Sequence, residues 1–200
     1  MNLSFSTRGW GDLSWEELIS AALDMKFTGI EVYNLFKFPE LTDRGGPFHK
    51  HKIAATLRQL RDKKLSIPCL DTSLDLSENT GNADTLADMM RIAHDLQVPY
   101  VVGWASRGDE AGMAMLHENM DRLLPSAEEL GVCILLKTSG IFADTGRLRA
   151  FLESYASDFT GALWDMHHPY RDFGESADAT IKNLGTYVKH VHLRDSDDKN

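Results

Sequence analysis

Apolar positions along the chain fall into two alternating patterns. Short runs of strand type occur at LSFST (3–7), GIEVYN (29–34), LSIPCLD (65–71), PYVVGWA (99–105), VCILLKT (132–138), GALWDMH (161–167) and VKHVHLRD (188–195). Between them, apolar residues recur at helical spacing. Trp15, Leu18, Ile19, Ala22 and Leu23 stand at i, i+3, i+4, i+7 and i+8, which is one face of a helix. Ser14 and Glu17 form a capping-box pattern at its start. The same grammar gives a stripe of Leu86, Met89, Met90, Ala93 and Leu96, and another of Met120, Leu123, Leu124, Ala127 and Leu130. Gly131 then stands where a helix-ending glycine belongs, and Asp144 precedes a helix carrying Leu148, Phe151, Leu152 and Tyr155. Met89 and Met90 are expected in the core, and the charges of RQLRDKK (58–64) on a solvated helix end.

Strand starts recur about every 25 to 38 residues, the spacing of successive βα units that build a parallel sheet. Seven such units follow one another without a linker or a low-complexity stretch. The expectation is a single domain over residues 1–200, of the α/β class and (β/α) TIM-barrel type. No GxGxxG or Walker-type loop follows a strand, which counts against a doubly wound nucleotide-binding sheet. In barrels of this kind the chemistry sits at the C-terminal strand ends. That rule selects Glu31, Asp71, Trp104, Lys137, Asp165, His168 and His192.

Composition narrows the function classes. The chain of 200 residues is 42% hydrophobic and 26% charged, which is ordinary for a soluble globular protein. Its net charge is −9, and no basic stripe is visible. A partner with a phosphate backbone needs such a stripe, so nucleic acid is not expected. Cys69 and Cys133 lie far apart, each in an apolar run, and read as buried free thiols of a reducing cytoplasm. The start MNLSFSTRGWG lacks a basic region followed by an apolar one, so no signal peptide is expected. No apolar stretch approaches the roughly 18 residues of a membrane span.

The richest stretch is WDMHHPYR (164–171). Asp165 at the strand end and His168 three residues on can both face the barrel mouth, although Asp165 can equally cap a turn and His168 can be a solvated loop histidine. In HVHLRD (190–195), His190 and His192 share one face of a strand. An Asp and a His on neighbouring strands at matching heights make an oxygen and nitrogen ligand pair for Mn, Mg, Co or Zn. ILLKTSG (134–140) puts Lys137 at a strand tip where a carboxylate is the usual choice. Arg8 in TRGWG can reach a ligand phosphate or carboxylate, or be a surface arginine. Glu31 can hold a sugar hydroxyl or pair with a cation. Trp10, Trp104 and Trp164 can wall a sugar pocket or pack between strands and helices.

These motifs carry a resemblance. The chain resembles the xylose-isomerase-like TIM-barrel superfamily, which includes sugar-phosphate isomerases and epimerases and the ketose 3-epimerases. The likeness runs through the chain and is most specific in LLKTSGIFADTGRL, LWDMHHPYRDFGES and YVKHVHLRDSD. It implies a divalent-metal-dependent proton-transfer enzyme acting on a sugar-like substrate. The metal would be held by a Glu on strand 5, an Asp on strand 6, a His on strand 7 and a Glu on strand 8. By this resemblance Asp165 and His192 are metal ligands, and His168 contacts substrate.

Two departures stand out. Lys137 occupies the position of the strand-5 glutamate, and a protonated amine cannot ligate a metal. The sequence also ends just after strand 7, without an eighth strand, whereas a closed barrel has eight strands and typically about 250 residues. The expected role of Lys137 is therefore an ion-pair partner of Asp165 that takes the electrostatic place of the metal; the alternative is a sequence change, natural or introduced, in a chain whose full-length relatives keep Glu. The alternative function is a metal-free, catalytically impaired relative that binds a small molecule or a partner, or a truncated fragment of the enzyme. An open seam between strands 1 and 7 implies either a homo-oligomer formed across it or a longer polypeptide.

Overall fold

The structure is a computed structural model that describes residues 2–194. The acidic segment 195–200, expected to form neither a closing strand nor a helix, lies outside the described residues. Seven strands form one parallel sheet in sequential order: β1 (Ser4–Ser6), β2 (Gly29–Tyr33), β3 (Cys69–Asp75), β4 (Tyr100–Ala105), β5 (Cys133–Gly140), β6 (Thr160–Asp165) and β7 (Val188–His192). Sequential order with parallel pairing is what repeated βα units produce when every crossover has the same hand. Among the described residues, β1 and β7 each have one strand neighbour.

The helices form where the stripes are. α1 (Trp15–Asp24) buries Trp15, Leu18, Ile19 and Ala22. The Ser14 amide donates to Glu17 Oε2 at 2.8 Å, and the Glu17 amide donates back to the Ser14 hydroxyl at 3.4 Å. This reciprocal cap satisfies two amides that the first turn leaves orphaned. Two helices follow β2, the short α2 (Pro39–Thr42) and α3 (Ile53–Asp62). α4 (Thr80–Asp95) buries Leu86, Met89, Met90 and Ala93, and α5 (Glu110–Leu130) buries Leu116, Met120, Leu123 and Ala127. Gly131 ends α5 at φ +66°, a conformation that suits a residue without a Cβ. Asp144 caps α6 (Thr145–Tyr155) by accepting from the Arg147 amide at 3.1 Å. α7 (His167–Phe173) and α8 (Ala177–Leu184) complete the order before β7.

Strand alternation divides the core in two. The outer set, between sheet and helices, includes Ile30, Leu70, Val101, Ile134, Leu136 and Ala162. The inner set is a small apolar cluster of Cys69, Val102, Cys133, Leu135 and Leu163. Both cysteines are buried free thiols. Two residues beyond this apolar floor, toward the C-terminal strand ends, the same faces carry Asp71, Lys137 and Asp165. Period two thus turns an apolar inner wall into a charged one.

β3 departs most from its expected bounds of 65–71. Pro68 has no amide to donate, so the stretch before it contributes only an isolated Ser66–Gly29 bridge. The regular ladder begins at Cys69 and runs past Asp71, with a register shift between Asp71 and Leu74. β6 ends at Asp165 and not at residue 167, because α7 starts at His167. None of the described helices is long and apolar enough to cross a membrane.

Candidate functional site

At the C-terminal end of the sheet, a cleft of about 360 Å³ is lined by residues from β2 to β5 and α7, together with Arg8 after β1. It is at the small end of the range for small-molecule sites, about 300–1,000 Å³. Tyr33 and Trp104 form aromatic walls, and Arg8, Asp71, Lys137 and His168 supply charge and hydrogen-bonding groups. Arg8 stacks over Tyr33, with its guanidinium carbon 5.1 Å from the ring centroid. The β3 register shift shapes one side. Ser73 takes φ +57°, its hydroxyl donates to the Tyr33 hydroxyl at 2.6 Å, and its carbonyl accepts from the Trp104 indole at 3.2 Å. Trp10 packs against Phe5 with ring centroids 5.5 Å apart, and neither it nor Trp164 lines this cleft.

Lys137 lies between two buried carboxylates. Its Nζ is 3.3 Å from Asp71 Oδ2 and 3.8 Å from Asp165 Oδ2. On the other side of Asp165, Arg194 Nε donates to Oδ1 at 3.2 Å, and the His167 amide donates to the same oxygen at 3.2 Å. Thr138 fixes the Asp165 backbone, since its hydroxyl donates to the Asp165 carbonyl at 3.1 Å and accepts from the Asp165 amide at 2.9 Å. Asp165 is therefore flanked by two cations of the chain itself.

His168 bridges this pair to the rim. Arg194 Nη2 donates to its Nε2, so Nδ1 carries the ring proton and donates to Asp172 Oδ2 at 3.0 Å. Burial lowers the imidazole pKa, with the Arg194 charge adding to the effect and Asp165 and Asp172 opposing it. His168 is accordingly held as a neutral, oriented ring.

A second cluster sits on the inner wall between β2 and β7. His190 Nε2 and His192 Nε2 both reach one oxygen of Glu31, Oε2, at 2.9 Å and 2.7 Å. Burial alone would push the Glu31 carboxyl up, but the hydrogen bonds and charges of the two histidines prevail and hold it well below the usual carboxylate range. Its other oxygen, Oε1, is buried without a hydrogen-bond partner. The donor atoms of Glu31, His190 and His192 lie within 4.8 Å of one another, close enough to hold a metal ion.

The structure thus gathers Arg8, Trp104, Lys137 and His168 at one cleft, with Asp165 beneath it against Lys137. It sends Glu31 and His192 to the second cluster. Asp165 and His192 are register partners on β6 and β7, yet His192 points its Nε2 at Glu31. A metal at the place implied by the family would need a carboxylate oxygen of Asp165 and the lone pair of His192. Both oxygens of that carboxylate already face Lys137, Arg194 and the His167 amide, so the residues present do not fit an ion there. Sequence reasoning missed Arg194, although it lies in the quoted HVHLRD motif. It placed Asp71 at a strand tip without assigning it to Lys137.

Comparisons with known proteins agree with this architecture. No curated protein matches the chain significantly in sequence. Among solved structures, the IOLI protein with a binding zinc atom superposes with a TM-score of 0.79 at 17% identity, covering 99% of this chain and 74% of its own. The 3-keto-D-glucoside 4-epimerase YcjR of E. coli gives 0.74 at 13% identity, covering 98% and 79%. The D-allulose 3-epimerase of Methylomonas sp., in complex with D-allulose, gives 0.73 at 19% identity, covering 96% and 71%. At these identities the likeness speaks for the fold. The family model described as xylose isomerase-like TIM barrel matches residues 9–200. The chain belongs to the xylose isomerase-like TIM barrel family.

Proposed function

We propose that the chain binds a sugar-like polyhydroxy carbonyl compound at the barrel mouth and catalyses its isomerisation by proton transfer, with Lys137 in place of a metal. The observation that carries this reading is the position of the Lys137 ammonium, between Asp71 and Asp165 at the floor of a cleft walled by Trp104 and Tyr33. As the ion-pair partner of both carboxylates, Lys137 presents its ammonium group to the cleft. A charged ammonium serves as an electrophile and not as a base.

In this reading the substrate carbonyl oxygen approaches Lys137, which donates a hydrogen bond to it. Entry of the ligand displaces Arg194 from His168 Nε2. That nitrogen then takes a proton from the carbon next to the carbonyl, and the C–H electrons pass into an enediolate whose oxygen Lys137 stabilises. Asp172 steadies the imidazolium through Nδ1. The hydroxyl proton on the carbon that lost its hydrogen passes to the adjacent enediolate oxygen, and His168 returns its proton to the former carbonyl carbon, so carbonyl and hydroxyl exchange places by transfer on one face. Epimerisation at one carbon would require a second base on the opposite face. Asp71 and Asp165, the carboxylates beside Lys137, are both committed to cations. Arg8 at the rim contacts a phosphate or carboxylate when the substrate has one, and the aromatic walls take the apolar face of the sugar.

The test is solvent deuterium exchange into a panel of aldoses, ketoses, their phosphates and sugar acids, followed by proton NMR with a chelator present. Exchange that persists in chelator, and is lost in Lys137→Met and His168→Gln, is the expected result. Exchange that stops in chelator and returns with a divalent metal would overturn the metal-free site. No exchange with any member of the panel would overturn the enzymatic reading.

A further inference from the structure

We propose that Glu31, His190 and His192 form a binding site for a divalent metal ion of the zinc class, distinct from the family's position at Asp165. The site is assembled by strand periodicity. His190 and His192 are two residues apart on β7, so both rings face the same way, and both turn their Nε2 atoms to a single oxygen of Glu31 on β2. Two imidazole nitrogens and one carboxylate oxygen are the donor set of open zinc sites, which leave the fourth position to a water or ligand.

A second observation separates this trio from an ordinary hydrogen-bonded cluster. Glu31 is almost fully buried, yet its Oε1 has no partner, and the two histidines are its sole ion-pair partners among the described residues. Asp71 and Asp165 each have a lysine or arginine. An ionised carboxylate with one unpaired buried oxygen is costly, because burial of an unpaired polar group forfeits its hydration. A divalent ion held at Oε2 places a permanent positive charge against this carboxylate, where the histidines carry one only when protonated.

The geometry needs little adjustment. Zinc bonds of about 2.0–2.2 Å place tetrahedral donor atoms about 3.3 Å apart. The present separations of 2.7 Å and 2.9 Å therefore open by roughly half an ångström when the ion replaces the ring protons. Each ring is then neutral with its proton on Nδ1, and any second proton is released to solvent. His190 and His192 are partly exposed on the edge strand, which gives the ion a route in and the rings freedom to shift.

The experiment uses the full chain, stripped with chelator, dialysed against Zn²⁺ and analysed for bound metal, alongside Zn²⁺ titration. One zinc per chain is expected, retained in Asp165→Asn and bound at least tenfold more weakly in His190→Gln, since even outer-shell losses cost 10–100-fold. Nitrogen NMR of ¹⁵N-histidine wild type gives a readout independent of variant folding, with Zn²⁺ shifting the Nε2 resonances of two histidines. Absence of stoichiometric zinc would overturn the proposal. So would zinc that is lost in Asp165→Asn but kept in His190→Gln, because that pattern locates the ion at Asp165. The sugar-exchange assay is run in chelator, so its failure and the failure of this site are separate results.

Discussion

Lys137→Met keeps an unbranched apolar stem as far as Cε, with sulfur in place of Cδ, and removes the ammonium. The lysine side chain is 12% exposed, and those of Asp71 and Asp165 are 4% and 1% exposed. Solvent therefore does little to replace the lost charge. The two carboxylates are not equally affected. Asp165 keeps Arg194 and the His167 amide, each at 3.2 Å, whereas the Asp71 carboxylate keeps only the Ser73 amide at 3.3 Å among the described residues. Breaking a buried pair by removing one partner costs about 3–5 kcal/mol. With one carboxylate still paired, the loss belongs at the lower end, about 3 kcal/mol. A domain of this size shifts about 2–4 °C per kcal/mol, so the melting temperature should fall by about 6–12 °C. Urea unfolding followed by tryptophan fluorescence and circular dichroism measures it. Asp71→Asn should be less harmful in the Lys137→Met background than in wild type, with a coupling energy of about 1–3 kcal/mol. A Lys137→Met variant within about 0.5 kcal/mol of wild type, the range of ordinary surface changes, would refute the reasoning. An additive cycle would do the same.

Lys137→Glu places a third carboxylate beside Asp71 and Asp165, so the metal-free variant should melt below Lys137→Met, and Mn²⁺ should raise its melting temperature more than that of wild type. Indifference to Mn²⁺ would mean that position 137 does not face Asp165. Gly140 adopts φ +60° and ψ −129°, and an added Cβ would lie 2.2 Å from the Ala105 carbonyl oxygen. Gly140→Ala should therefore lower stability by more than about 1–3 kcal/mol, the cost of such strain alone, and a loss under 0.5 kcal/mol would contradict the β4–β5 geometry. Burial pushes the Cys133 thiol up to about 11 and raises Cys69 well above the usual range. Because both folded-state values lie above the unfolded one, their contribution is complete below about pH 8.5 and declines as pH rises toward the folded value. Each thiol adds a downward slope of about 1.4 kcal/mol per pH unit in that window. Cys133→Ala should remove one thiol's share, and an unchanged slope in urea titrations would refute the assignment.

The fold was legible where a pattern has one physical meaning. The Trp15–Ala22 stripe, the Ser14–Glu17 cap and Gly131 each specify a local geometry that the fold adopts, whereas Leu23 at the edge of the stripe is exposed. β3 was misplaced because its apolar run continues through Pro68, and hydropathy does not register a missing amide. The start of α7 was hidden because Met166 and His167 extend the β6 pattern smoothly. For the site, strand tips identified Lys137, Asp165 and His168, since the C-terminal ends of the strands converge. Partner choice was not legible. Whether His192 turns to Asp165 next door or to Glu31 five strands away along the sheet depends on curvature that brings β7 over β2, which no local pattern contains. Arg194 escaped for a related reason: as the charge following an edge strand, it reads as solvated until Asp165 is seen beside it.

In the proposed reading the charge facing Asp71 and Asp165 belongs to Lys137 and not to a metal. Anomalous diffraction from crystals soaked in Mn²⁺ is the decisive measurement. Continuous side-chain density for Lys137 reaching between the two carboxylates is expected, with no anomalous peak in contact with Asp165. A manganese peak bonded to Asp165 and His192, with Lys137 swung away, would contradict it.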